Sequence, residues 1–141
     1  MTEINIPTGL TTLGINTFSN CYNLQGTIEL PIGVTSIPNT CFTSCYSITK
    51  VIIPNTVTTI GTSTFAYCYS LKEIEFSQNN SLLTSIGQNA FFECYNLSGV
   101  INIPEGVTTI GASAFAKATY NITEIIIPST VTSIGNYAFS S

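Results

Sequence analysis

Apolar residues recur along this chain in pairs, one and three positions ahead of a proline. Ile4 and Ile6 precede Pro7, Ile28 and Leu30 precede Pro31, Val51 and Ile53 precede Pro54, Ile101 and Ile103 precede Pro104, and Ile125 and Ile127 precede Pro128. Ile74 and Phe76 make the same pair ahead of Ser77, which stands where another proline would fall. Apolar-polar-apolar alternation is the period-two signature of a strand with one buried face. The proline removes a ladder donor and fixes its own φ, so it ends each strand and turns the chain. A second, shorter apolar pair follows, as in Val57-Thr58-Thr59-Ile60-Gly61, and after it a phenylalanine. The stretch around that phenylalanine, for example residues 63–68, is too short for an independently stable helix and predicts a single helical or 3₁₀ turn.

The spacing makes these segments copies of one unit. Pro7, Pro31, Pro54, Ser77, Pro104 and Pro128 are 24, 23, 23, 27 and 24 residues apart. Phe18, Phe42, Phe65, Phe91, Phe115 and Phe139 keep the same period, each after an Ile-Gly or a close variant: Leu13-Gly14, Ile37-Pro38, Ile60-Gly61, Ile86-Gly87, Ile110-Gly111 and Ile134-Gly135. Six units result, about 1–24, 25–47, 48–70, 71–97, 98–121 and 122–141, within one domain spanning 1–141. A single unit cannot bury its own apolar edge, whereas stacked units bring equivalent residues into columns around one continuous core. The expected architecture is a repeat solenoid with a parallel β-sheet and short helical or 3₁₀ turns, its first strand beginning at Met1-Thr2-Glu3-Ile4. Unit four departs from the pattern by three extra residues within Gln78–Leu83, which read equally as a contact loop or as a neutral bulge.

The run Leu71-Lys72-Glu73-Ile74-Glu75-Phe76 and the longer phrase Ile53-Pro54-Asn55-Thr56-Val57-Thr58-Thr59-Ile60-Gly61, continuing to Phe65 and Cys68, resemble the BspA-type leucine-rich repeat. The resemblance covers essentially the whole chain. It implies a right-handed leucine-rich-repeat coil. It also implies a surface or secreted adhesin-like role, with binding to host proteins or other cells and no family-wide active site.

Composition narrows the chemistry. Only 7% of residues are charged, with a net charge of −4, no His and no Arg. Average soluble domains carry roughly 25% charged residues, so Thr, Ser and Asn must supply most of the polar surface here. The basic footprint that binds phosphates is missing, which argues against nucleic acid. Without His or Asp, neither a Ser-His or Cys-His nucleophile pair nor the usual His- or Asp-based acid-base pair can be assembled, so the chain reads as non-catalytic and without a cofactor. The longest aliphatic runs, such as Val51-Ile52-Ile53, are far too short to cross a bilayer.

Stacking in register turns single residues into surface columns. Tyr22, Tyr46, Tyr69, Tyr95 and, after a one-residue slip, Tyr120 form a stripe. Its rings are candidates for a rigid contact surface toward a protein or a sugar; the competing reading has them covering the edge of the core. On the strands, the residues two before the proline should face outward: Asn5, Glu29, Ile52, Glu75, Asn102 and Ile126, of which the last five join the stripe as candidate ligand-binding positions. Four before the proline lie Glu3, Thr27, Lys50, Glu73, Val100 and Glu124, so this face is mildly acidic with apolar spots. Thr11, Thr35, Thr58, Thr84, Thr108 and Thr132 form an unbroken hydroxyl column. Cys21, Cys45, Cys68 and Cys94 share a column with Ala118, which predicts small packed side chains ahead of disulfides; with no His and no CxxC, no metal site is expected. Cys41 lies off that column and reads as the exposed thiol.

Two functions follow. The first is a non-catalytic binding or adhesion module recognising a protein or cell-surface ligand, at the cell surface or secreted as part of a longer protein, without membrane insertion. The second is a structural assembly unit of a virion, tail or surface layer, self-associating head to tail through uncapped end rungs.

Overall fold

The computed structural model of the chain describes residues 1–141. Five rungs carry a longer strand: β1 (Gln25–Glu29), β3 (Ser47–Ile53), β5 (Glu73–Phe76), β7 (Ser98–Asn102) and β9 (Asn121–Ile126). Between them lie two-residue strands, β2 (Ser36–Ile37), β4 (Thr59–Ile60), β6 (Ser85–Ile86), β8 (Thr109–Ile110) and β10 (Ser133–Ile134). All pairings are parallel. The short strands form one sheet in the order β10-β8-β6-β4-β2, while the longer ones form β1-β3-β5 and, separately, β7-β9. Repeat register holds throughout: Ile37 lies beside Ile60, Ile60 beside Ile86, and Ile86 beside Ile110.

The alternation expected of the strands is present in rungs two to five, while Ile127 in the last rung is exposed. Ile28, Val51, Ile53, Ile74, Phe76, Ile101 and Ile103 are buried, and Glu29, Glu75 and Asn102 between them are exposed. Proline turns follow, with the N–H of Val34, Val57, Val107 and Val131 donating to the carbonyl of Pro31, Pro54, Pro104 and Pro128. The Ile-Gly step has a steric cause. A Cβ at Gly87 would sit 2.6 Å from the Gly61 carbonyl carbon, and one at Gly111 would sit 2.5 Å from the Gln88 nitrogen. Only glycine lets the backbones of adjacent rungs approach this closely.

At the centre runs a column of phenylalanines. Successive rings of Phe18, Phe42, Phe65, Phe91, Phe115 and Phe139 stack at 5.1, 5.3, 5.4, 5.1 and 5.7 Å between centroids. The only buried polar residue is Thr64, whose hydroxyl donates to the carbonyls of Gly61 and Pro38. The threonine column works as a ladder. Hydroxyls of Thr58, Thr84, Thr108 and Thr132 donate to the carbonyl of the threonine one rung back, at 2.9 to 3.4 Å.

Four expectations are corrected. The segments around the phenylalanines are hydrogen-bonded turns, with neither helix nor 3₁₀. Residues two before and two after each of the first five phenylalanines take left-handed φ, as Ser63 (53°) and Tyr67 (62°) do, which no right-handed helix accommodates. Their amides bond across rungs instead: Ser63, Phe65 and Tyr67 donate to Gln88, Ala90 and Phe92. Secondly, Cys41 is not exposed; it is fully buried, and burial pushes its thiol up to about 12. Lying next to a phenylalanine in a turn with left-handed φ at Thr40, it is swung into the core. Thirdly, residues 1–6 form no strand, although the N–H of Gln25 donates to the Thr2 carbonyl. Lastly, the longer strands do not make one sheet. The ladder breaks between β5 and β7, where the extra residues of unit four are tied to both neighbours: the Gln78 amide donates to Asn102, and the Leu82 N–H to Asn55.

Candidate functional site

Two surfaces gather the candidate residues, and the turn side carries the tyrosines. Tyr22, Tyr46, Tyr69 and Tyr95 stack in sequence at 4.9, 4.9 and 5.4 Å, with interplanar angles of 26°, 18° and 11°. Tyr120 closes the row at 6.3 Å, tilted by 44°, because the extra residue in Ala118-Thr119-Tyr120 displaces it. The rings are 48%, 37%, 37% and 61% exposed at Tyr22, Tyr46, Tyr95 and Tyr120, while Tyr69 is half-buried. The rings stack on one another and also meet solvent. The geometry restricts what they can contact. Both faces of Tyr46 and Tyr69 are covered by neighbouring tyrosines, so these two present ring edges and hydroxyls, and stacking of a sugar on a ring face is blocked there.

The segment below the row is held by side-chain bonds to the tyrosine carbonyls. Ser47, Asn96 and Asn121 donate to the carbonyls of Tyr22, Tyr69 and Tyr95 at 2.9, 2.6 and 3.2 Å. Such rung-to-rung bonds keep the rings in a preset arrangement, which lowers the entropy lost on binding.

Beside the row lies a cluster that the sequence did not single out. Tyr67 meets Tyr69 and Phe92 edge-on at 6.3 and 5.6 Å. The Lys117 ammonium sits 5.5 Å from the Phe92 ring centre and 2.9 Å from Glu93. Its hydrogen bond to Glu93 holds that carboxyl below the usual range, and the neighbouring Glu93 carboxylate pushes the Tyr95 phenol up to about 12. Tyr67, Glu93 and Lys117 occupy one column, two residues after the phenylalanine, so the repeat register itself was the available signal. The left-handed turn directs that column outward beside the tyrosines.

The sheet face is the second surface. Glu29, Glu75, Asn102 and Ile126 are exposed, and Ile52 is half-buried among them. Lys50 bridges Glu73 at 2.9 Å and Glu75 at 2.7 Å, and these two bonds raise its pKa. Val100 is exposed on the same face, adding an apolar spot beside Ile126. The tyrosine row and the sheet face thus draw on different columns and lie on different stretches of every rung.

The cysteine column packs inside. All five thiols are free, and those of Cys45, Cys68 and Cys94 donate to the carbonyl of Phe18, Phe42 and Phe65 at 3.2, 3.3 and 3.1 Å. Burial raises the pKa of all three.

Parallel rungs of nearly constant length, with single-residue columns through core and surface, define a leucine-rich-repeat solenoid. The chain belongs to the BspA type leucine-rich repeat family, whose model matches in six copies over residues 1–118 and 79–141. Among solved structures it is similar to a leucine-rich cell surface protein of Faecalibacterium prausnitzii A2-165, at 31% identity over 99% of this chain and 45% of that one, with a TM-score of 0.76. It is also similar to a leucine-rich repeat protein of T. pallidum, at 28% identity over 81% of this chain and 53% of that one, with a TM-score of 0.74. A leucine-rich repeat protein of Bacteroides capillosus matches at 27% identity over 70% of this chain and 75% of that one, with a TM-score of 0.57. The chain spans about half the length of the first two. No curated protein matches it.

Proposed function

We propose that residues 1–141 act as one non-catalytic binding domain that recognises a protein partner, at the cell surface or as a secreted part of a longer protein. The observation that carries the reading is the tyrosine row: five half-exposed aromatics held in register by the solenoid, presenting edges and hydroxyls. Tyrosine combines large contact area with few rotatable bonds, the property enriched at interface hot spots. Covered ring faces favour a protein over a glycan. The acidic, apolar-spotted sheet face at Glu29, Ile52, Glu75, Asn102 and Ile126 serves as a second contact for a partner with basic character. Surface placement is supported by the Faecalibacterium protein. No helix here is long and apolar enough to cross a membrane.

The test begins with a binding screen against arrays of extracellular proteins and glycans. For the best protein hit, the double variant Tyr46→Ala/Tyr69→Ala should weaken binding by about 1,000-fold, in line with ~2 kcal/mol for each of two hot-spot residues. Retained affinity with an intact circular dichroism spectrum would remove the row from the interface.

A further inference from the structure

Rung one is joined to rung two by backbone bonds on its turn side, and not at the short-strand position or along most of the longer one. On the turn side, the amides of Phe18 and Asn20 donate to Cys41 and Thr43 at 2.8 and 2.9 Å, as in every later rung. On the strand side, the N–H of Gln25 reaches the Thr2 carbonyl, and beyond it no backbone bond joins residues 3–6 to β1. A cleft of about 610 Å³ opens there, lined by Ile4, Asn5 and Ile6 on one side and by a continuous stretch from Thr27 to Ile32 on the other. Consecutive residues of both parities line it, so its walls are the two backbone edges themselves. Its volume falls in the range of ligand sites, roughly 300 to 1,000 Å³.

The β1 edge facing this cleft is open. The N–H of Leu30 donates to Ile52 in β3, so by strand alternation Ile28 and Leu30 aim their backbone groups at β3 while Thr27 and Glu29 aim theirs into the cleft. Those groups have no backbone partner. An unpaired edge is a template for one more strand. Two acids flank it: Glu3 and Glu29 are exposed and in no salt bridge, Lys50 pairing with Glu73 and Glu75, and Lys117 with Glu93. On the inward side, Ile4 and Ile6 are half-buried and offer aliphatic surface, with Ile28 and Leu30 buried in the core behind them.

We propose that this cleft binds an extended peptide segment of a partner protein by strand addition to β1, selecting side chains that alternate aliphatic and basic. The peptide backbone pairs with Thr27 and Glu29, its aliphatic side chains turn toward Ile4 and Ile6, and its basic ones meet Glu29 and Glu3. This is recognition by β-augmentation, in which main-chain bonds supply affinity and alternate side chains supply specificity. The site shares no residue with the tyrosine row, so it stands or falls separately from binding there.

The experiment uses the full chain and a capped, fluorescein-labelled Lys-Val-Lys-Val-Lys peptide, read by fluorescence anisotropy and by amide hydrogen exchange. In the free protein the Thr27 and Glu29 amides should exchange quickly, and saturating peptide should slow them at least tenfold. N-methylation of the two peptide amides that face β1 should weaken binding about tenfold, as expected for the loss of two backbone bonds. Glu29→Lys should weaken it about fivefold, while Glu105→Lys, on the exposed proline turn, should leave it unchanged. Both substitutions are at exposed sites and leave the fold intact, checked by circular dichroism. Slow exchange at Thr27 and Glu29 in the free protein would mean that residues 3–6 close onto β1 and would overturn the proposal. Equal binding of the methylated and parent peptides, or of the Glu29→Lys and Glu105→Lys variants, would overturn it as well.

Discussion

Replacing Phe65 by alanine tests the stacked core on which every surface column depends. Phe65 is fully buried and stacks on both sides, 5.3 Å from Phe42 and 5.4 Å from Phe91. Deleting a buried phenylalanine ring costs about 3 to 5 kcal/mol through lost transfer energy and the cavity left behind. Domains of this size are stable by only about 5 to 15 kcal/mol, so the loss is a large share of the total. Each rung contacts only its neighbours, so a gap at rung three also weakens the coupling between the two halves of the stack. Phe139 supplies the internal comparison: it is half-buried and stacks on one side only, at 5.7 Å, so Phe139→Ala should cost about half as much or less. Urea unfolding followed by circular dichroism reads both. With a slope of about 2 kcal/mol per molar urea, Phe65→Ala should lower the midpoint by about 2 M and Phe139→Ala by less than 1 M. Equal shifts would mean that the rings do not form a continuous column, and the reasoning from register to surface would fail with it.

Three further outcomes follow from the same structure. Burial raises the thiols of Cys41 and Cys45 to about 12 and also lifts Cys68 and Cys94, so at pH 8 these four stay protonated and shielded. A thiol reagent should modify only the half-buried Cys21 in the native protein and all five cysteines in urea; rapid native labelling of Cys41 would contradict its placement. Tyr137 holds a left-handed φ of 59° with its side chain exposed, in a column where Asn16 and Asn89 take the same conformation. Tyr137→Asn should therefore stabilise the fold by about 0.5 to 1 kcal/mol, and a lower melting temperature would refute the strain argument. Lys117 depresses the Glu93 pKa, so the stability from this pair is present above the unfolded carboxylate pKa and is lost as pH falls through the lower folded value. Lys117→Met should flatten that part of the melting curve between pH 5 and roughly 2, and an unchanged acid profile would show that the pair contributes nothing.

What could be read from the chain and what could not divide along a physical line. Positions whose role depends on the period alone were legible: Phe42, Phe65 and Phe91 stack, Ile28 and Val51 point inward, Glu29 and Glu75 point outward, and the Thr58-to-Thr132 hydroxyls form a ladder. A period says which residues share a column, but not which way a turn aims it. That direction is set by left-handed residues such as Thr40 and Tyr67, which put Cys41 inside and brought Tyr67, Phe92 and Lys117 beside the tyrosines. The break between β5 and β7 escaped for a related reason: the three added residues keep the apolar columns in register while interrupting the backbone ladder. The stripe was visible as five tyrosines at repeat spacing, but that its ring faces are covered is a property of the stacking distance.

The account turns on the tyrosines of successive rungs lying face against face at the surface. Nuclear magnetic resonance on protein with isotope label only in tyrosine reads this directly. The structure predicts ring-to-ring Overhauser contacts from Tyr22 to Tyr46, Tyr46 to Tyr69 and Tyr69 to Tyr95, with none that skips a rung. Isolated ring signals without those contacts, or contacts between Tyr22 and Tyr95, would contradict the row and the binding surface built on it.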